Sequence, residues 1–241
     1  MSKFNLFLSS DSPHIVQSTS ELNIKLDFKR PEPEKALKSI LCNLLIKPNS
    51  WILIQRKKQP LGTKRGNPLG IGIESFRRVL DALEKDGFIE QDKGSKLENK
   101  QTVIRATEDL LIWFKSSKWT DDDIDIYKAQ GITLRLNEGD KEYVEFDDTK
   151  FSTWLDSELK QYNNLLNNSD IYVPNKDGVL IHEKKIITSR GFIKHEQHPK
   201  DGEFLFGGRH VGPWVSTPSV ERERITINGE STKEVDRVAS H

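Results

Sequence analysis

Residues 73–106, IESFRRVLDALEKDGFIEQDKGSKLENKQTVIRA, decide the fold. Phe76, Val79, Leu80 and Leu83 recur at helical spacing, so the pattern predicts an amphipathic helix over about 73–86. Gly87 stands where a helix closes with a left-handed residue, a conformation that costs glycine little. Phe88-Ile89-Glu90 then begins a strand, the polar stretch 92–101 makes a turn, and Thr102-Val103-Ile104-Arg105 returns as a second strand. Upstream, Pro31 and Pro33 suit the first turn of a helix that continues over Glu34–Ile46, with Leu37, Ile40, Leu41, Leu44 and Leu45 inward. Trp51-Ile52-Leu53-Ile54 is a short apolar run. After it, QRKKQPLGTKRGNP carries Arg56, Lys57, Lys58, Lys64 and Arg65 among Pro and Gly, so an exposed basic loop is expected. Downstream, Ala106–Lys115 reads as a helix capped by Thr107, with Leu110, Leu111, Trp113 and Phe114 as core rather than a stacking platform.

That order is helix, turn, helix, two-stranded hairpin. The phrase ESFRRVLDALEKDGFIEQDKG…TVIRAT is similar to the recognition helix and wing of winged helix-turn-helix DNA-binding domains. The resemblance implies an α+β fold, with a winged helix-turn-helix domain over 31–118 and a smaller mixed α/β C-terminal region. It also implies double-stranded DNA as the partner, with the second helix in the major groove. Outward positions of that helix are then Glu74, Ser75, Arg77, Arg78 and Asp81. Arg77 or Arg78 reaches guanine edges or phosphates, while Lys93, Lys96 and Lys100 on the wing meet the backbone. Winged helices also dock proteins or pair as homodimers, and Glu74 and Asp81 beside the arginines weaken phosphate attraction. Another protein, or a second copy, is therefore the rival partner.

The 241 residues suit one large domain or two ordinary ones. Charge is balanced overall, 37 Lys and Arg against 37 Asp and Glu, yet strongly segregated. Residues 29–118 hold 19 basic against 11 acidic residues, and residues 119–170 hold 5 against 13. Such asymmetry points to polyanion binding by the basic part, or to a basic domain docking on its acidic neighbour. Mean hydropathy is −0.64, and no stretch approaches the roughly 18 consecutive apolar residues of a spanning helix, so no membrane partner is expected. Five Trp, eleven Phe and four Tyr supply a core, which argues against disorder throughout. The lone Cys42 excludes an internal disulfide and sits on the apolar side of its helix. With no apolar h-region in the first residues, a cytoplasmic location is expected. Residues 1–30 read as an N-terminal strand or arm, because Leu22, Ile24, Leu26 and Phe28 alternate. Residues 119–170 read as an acidic linker and a helix over roughly 148–164, and residues 171–241 as a β-rich region.

The C-terminal stretch is the most unusual. GGRHVGPW reads as a glycine-dense turn, and ITINGESTKEVD as a hairpin around Asn228-Gly229 whose return strand runs through Val235 and Val238. Gly207, Gly208, Arg209, Gly212, Trp214, Arg224, Ile225, Ile227, Asn228, Gly229, Glu230, Glu234, Asp236, Ala239 and His241 resemble a family of proteins from phages, plasmids and other mobile elements. His210 and Arg237 depart from it, standing where an aromatic residue is usual. The resemblance implies a role in replication or regulation of such an element. A strand ending in aspartate after a glycine hairpin also looks like the first metal motif of template-directed polymerases. On that reading Asp236 holds Mg²⁺ and Arg209 clamps phosphate. Two-metal chemistry needs a second carboxylate from a later strand, so the alternative to DNA binding is a remnant or fragment of a metal-dependent nucleotidyl-transfer enzyme, and no catalytic residue is assigned. Otherwise no cofactor is expected. His195 and His198 stand three apart, with His182 and His210 elsewhere, but they lack a metalloprotease frame and read as surface residues. The run Asp121-Asp122-Asp123-Asp125 lacks the glycine and closing glutamate of a calcium loop and reads as a solvated acidic loop.

Overall fold

The computed structural model describes residues 2–4, 8–26, 31–54, 67, 69–95, 101–126, 131–136, 144–174, 178–194, 204 and 206–233. The chain is a mixed α+β protein with small sheets. Its first part contains β1 (Ser2–Lys3), β2 (Leu8–Ser9), α1 (Pro13–Lys25), α2 (Pro31–Ile46), β3 (Ile52–Ile54), α3 (Ile73–Lys85), β4 (Ile89–Asp92), β5 (Thr102–Ala106) and α4 (Glu108–Ser116). Strands pair in the order β1-β3-β5-β4, antiparallel except for β1 on β3. The second part contains β6 (Asp125–Ile126), β7 (Ile132–Leu136), α5 (Lys150–Asn167), β8 (Ile171–Pro174), β9 (Leu180–Glu183), β10 (Ser189–Lys194), β11 (Phe206–Val211), α6 (Ser219–Arg222), β12 (Thr226–Ile227) and β13 (Glu230–Ser231).

One core gathers α1 to α4 on the first sheet: Ile15 and Leu22, Leu37, Ile40, Leu41 and Leu44, Phe76, Val79, Leu80 and Leu83, with Ile52 and Ile104 beneath. Cys42 is buried there, and burial pushes its thiol up to about 12, so it is a small apolar filler and not a nucleophile. Two helix ends explain how the turns are made. At the end of α3 the Phe88 N–H donates to the Leu83 carbonyl and the Gly87 N–H to that of Glu84, with Gly87 at φ 78°. At the end of α4 the same pair of bonds runs from Trp119 to Phe114 and from Lys118 to Lys115, but Lys118 takes the left-handed position at φ 57°. Thr107 caps α4, accepting from Leu110 N; of the four residues expected in the core, Leu110 and Phe114 are buried, and Leu111 and Trp113 are half-buried and packed against it.

Three sequence expectations change. Leu22–Lys25, expected to begin a strand, is helical because α1 continues to Lys25, while Phe28 lies outside the described residues. Ile15, Thr19, Leu22 and Asn23 all lie buried at helical spacing, with Leu26 packed against the core just beyond. GGRHVGPW is not a simple turn: Phe206–Val211 is strand β11, paired antiparallel to β10, and a short 3₁₀ turn follows at Pro213–Ser216. A bulge between Gly191 and Phe192 admits the glycines, and Gly208 at φ 76° lies where a Cβ would come within 3.1 Å of the Phe192 ring. The acidic stretch is not a separate linker either. Its strand β7 pairs in parallel with β10, and α5 covers that sheet, so Ile132, Leu134, Phe146, Leu155, Leu159 and Phe192 form a second core.

The amides near the end of α5 hold the next segment. Asn163 Oδ1 accepts from the Thr188 N–H (2.8 Å), and Asn167 Oδ1 from the Ile186 N–H (2.6 Å), while Asn167 Nδ2 donates back to the Ile186 carbonyl (2.7 Å). A third cluster, Leu166, Ile171, Val173, Ile186 and Ile225, lies under the sheet β13-β12-β8-β9. The expected turn forms at Asn228 (φ 52°) and Gly229 (φ 81°), as a two-residue turn with both central φ positive requires; the return strand is described over Glu230–Ser231, and Val235 and Val238 lie outside the described residues. Among the described residues Lys47 Nζ pairs with Glu183 (2.9 Å), mostly shielded from solvent, and so ties α2 to β9, and Lys184 pairs with Asp121.

Candidate nucleic-acid interface

Helix α3 positions the site. By burying Phe76, Val79, Leu80 and Leu83 it turns Glu74, Arg78 and Asp81 to solvent and leaves Ser75 and Arg77 half-buried. Gln91 on β4 fixes the hairpin to this helix, since its Nε2 donates to the Leu80 carbonyl (2.9 Å) and to Glu84 Oε2 (3.2 Å). The Gly94 N–H donates to Thr102 Oγ1 (3.0 Å) and starts the turn between the strands. On the neighbouring strand positions Arg105 pairs with Glu90 (2.6 Å) and lies 4.7 Å over the Trp51 ring. Sequence reasoning assigned no role to Gln91, Arg105 or Trp51. Only the cross-strand register of Glu90 with Arg105 was accessible to it, through the hairpin.

The outward cations do not stand alone. Arg77 Nη1 is 3.0 Å from Glu74, one turn earlier on the same helix. Lys93 Nζ is 2.9 Å from Glu84 and 3.7 Å from Asp81, so the hairpin lysine leans back over α3. The exposed face of α3 therefore alternates in sign. Arg78 faces outward and Arg77 stands on the flank of α3 over which Lys93 leans, while Ser75 lies about 160° round the helix from Arg77. Arg56, Lys57, Lys58, Lys64 and Arg65, with Lys96 and Lys100, lie outside the described residues.

Among the described acidic residues, Asp123 is bound away from α3. Ser10 Oγ donates to the Asp123 carbonyl (2.6 Å), Ser12 Oγ to Asp123 Oδ1 (3.2 Å), and His14 is 3.4 Å from the other carboxylate oxygen. The Thr120 hydroxyl hydrogen-bonded to Asp123, helped by Ser12, holds that carboxyl below the usual range. The Lys184 ammonium does the same to Asp121. These aspartates close a short 3₁₀ turn, and among the described residues no group of three or more His, Cys, Asp and Glu is placed to hold a metal ion.

In the C-terminal part, Arg209 sits on β11 opposite Gly191, while Asp236 lies outside the described residues, as do His195 and His198. His182 stacks on Tyr172 at 4.8 Å and is 3.6 Å from Asp170. His210 meets the Tyr162 ring edge to face at 5.8 Å. Burial, then the Arg190 charge, lowers its pKa. No helix among the described residues is long and apolar enough to cross a membrane. Comparison with protein-family models, with curated proteins and with solved structures finds no match.

Proposed function

We propose that α2 to β5 form a winged helix-turn-helix unit that binds double-stranded DNA. One observation carries the reading. α3 buries its apolar stripe against α2 and the sheet, and away from that stripe it presents Arg77 and Arg78, with the hairpin lysine Lys93 leaning over the Arg77 flank. Sheet order β3-β5-β4, with its first strand drawn from between the two helices and a hairpin flanking the second, supports the same reading. The stretch 55–66 adds five cations and no acid. Because Glu74, Asp81 and Glu84 compete for the cations of α3, most phosphate attraction is assigned to Arg56, Lys57, Lys58, Lys64 and Arg65. Arg78 is assigned to base edges or phosphate in the major groove. The C-terminal likeness to phage and plasmid proteins supports replication or regulation of a mobile element as the setting.

Fluorescence anisotropy with labelled duplex and single-stranded DNA, from about 50 to 200 mM salt, tests this. Duplex affinity falls steeply with salt. Replacing Arg56, Lys57 and Lys58 together by Ala flattens the log–log slope by about 2–3, nearly one for each phosphate that is no longer neutralised. Arg77→Ala with Arg78→Ala weakens duplex binding at every salt concentration. Absence of duplex binding at low salt, or a salt-independent affinity, refutes the proposal. The alternating charge on α3 favours one rival, a protein-docking face. That rival gains if Arg77→Glu with Arg78→Glu leaves DNA affinity unchanged while abolishing association with a partner.

A further inference from the structure

Helix α5 carries two apolar stripes where its own fold uses one. Leu155, Leu159 and Leu166 are buried against the sheet and the neighbouring segment. A second set, Phe151, Trp154, Tyr162 and Leu165, stays exposed at 44%, 55%, 38% and 63%. At 100° per residue these four and Glu158 fall within roughly 80° of arc, next to the buried stripe. Phe151 and Trp154 are held side by side, with ring centroids 5.8 Å apart, and Phe151 also rests on Phe204 at 5.8 Å, so the platform is preformed. The exposed part of the four side chains amounts to about 400 Å², the size of patch that marks an interaction surface on a single chain.

We propose that this face docks a basic amphipathic helix of a partner protein. The spacing i, i+3, i+11, i+14 gives two pairs of anchors at the ends of the stripe, as helix-in-groove recognition uses them. Glu158 stands between the pairs, exposed, and among the described residues none pairs with its carboxylate. Exposed Glu145, Asp147 and Asp148 flank the N-terminal end of α5; Lys160 falls well off the stripe, and Lys150, one turn before Trp154, stands about 40° beyond its edge. A partner helix with Lys or Arg inside its own apolar stripe matches this pattern. A second copy does not: an antiparallel pair would set Glu158 against its own equivalent.

The full-length protein is titrated against two labelled 18-residue helical peptides with the same leucine stripe, one with lysine and one with glutamate at every polar position. The lysine peptide binds and the glutamate peptide does not. Trp154→Ala and Leu165→Ala each weaken binding at least tenfold while thermal melting stays unchanged, because both side chains are exposed. Glu158→Lys exchanges the preference towards the glutamate peptide. Equal binding of both peptides overturns the proposal, as does absence of lysine-peptide binding or binding indifferent to Trp154→Ala. A dimer seen by sedimentation and abolished by Trp154→Ala also overturns it, since the covering surface is then a second copy.

Discussion

Gly131 is where α5 comes closest to its sheet, and adding one carbon there tests how the second half is built. The Gly131 N–H donates to Asp156 Oδ1 on α5 (3.1 Å), and its carbonyl accepts from Arg190 N on the neighbouring strand (2.6 Å), so its backbone is fixed from both sides. In Gly131→Ala the new methyl would stand 2.4 Å from Leu159 Cδ1, 2.8 Å from its Cβ and 3.1 Å from its Cγ. Rotation about the side chain can withdraw the Cδ1 but not the Cβ, so α5 itself must lift. Overpacking of this kind costs about 1–3 kcal/mol. For a chain of this size that lowers the melting temperature by roughly 2–12 °C. Leu159→Ala does not rescue the variant, because the Cβ contact persists and a cavity worth about 2–5 kcal/mol is added. Thermal melting followed by circular dichroism gives the size of the effect. Amide hydrogen exchange gives its place: protection falls in β7, β10 and α5 and holds in α3. Gly72→Ala is the control, since a Cβ there meets nothing nearer than Ser75 Oγ at 3.8 Å and its φ is −70°. A Gly131→Ala protein that melts with the parent refutes the close seat of α5 on β7.

The left-handed caps give opposite signs. Gly87→Ala lowers stability by about 1 kcal/mol although a Cβ there has open space, whereas Lys118→Gly raises it by about 0.5–1 kcal/mol, both read by urea denaturation. Lys47→Met leaves Glu183 shielded without its 2.9 Å partner and costs about 1–3 kcal/mol. Lys47→Met with Glu183→Leu recovers most of that loss, measured in the same denaturation series. Asp121 and Asp123 both have folded pKa values below the ordinary 3.8. Their stabilisation is therefore complete above the ordinary carboxylate range and is lost as pH falls through the lowered values. Denaturation between pH 6 and pH 2, on the order of the window that linkage sets, shows a shallower acid loss for Asp121→Asn than for the parent.

How far the sequence foretold this molecule depends on where each residue's partner lies. α3 was legible because Phe76, Val79, Leu80 and Leu83 share one face and its cap is made by Gly87 a few residues on. The hairpin at Asn228-Gly229 was legible for the same reason. α1 was misread because two of its buried positions are polar, Thr19 and Asn23, which interrupts the apolar stripe and leaves the alternation of Leu22, Ile24 and Leu26 as the louder signal. In Gly207-Gly208 the glycines signalled a turn, yet β11 uses them at a bulge against the Phe192 ring, a neighbour that local pattern does not reveal. The amides of α5 carried no local signal, because their partners, Thr188 for Asn163 and Ile186 for Asn167, lie on a later segment of the chain.

The same distinction governs the charges. Segregation of basic residues into 29–118 and acidic ones into 119–170 suggested that one half shields the other. Two of the described acids are engaged away from α3: Asp121 is tied to Lys184, and Asp123 to Thr120, Ser12 and His14. What opposes Arg77 and Lys93 comes instead from Glu74, Asp81 and Glu84 of α3 itself. Competition for the α3 cations is thus built into one helix at ranges of about one turn, where exposed pairs contribute a few tenths of a kcal/mol and yield readily to a phosphate. A face arranged this way resists indiscriminate attraction without needing a second domain to cover it. The acidic half is then left with exposed carboxylates around the aromatic stripe of α5, where a basic helix, and not the chain's own α3, is the fitting complement.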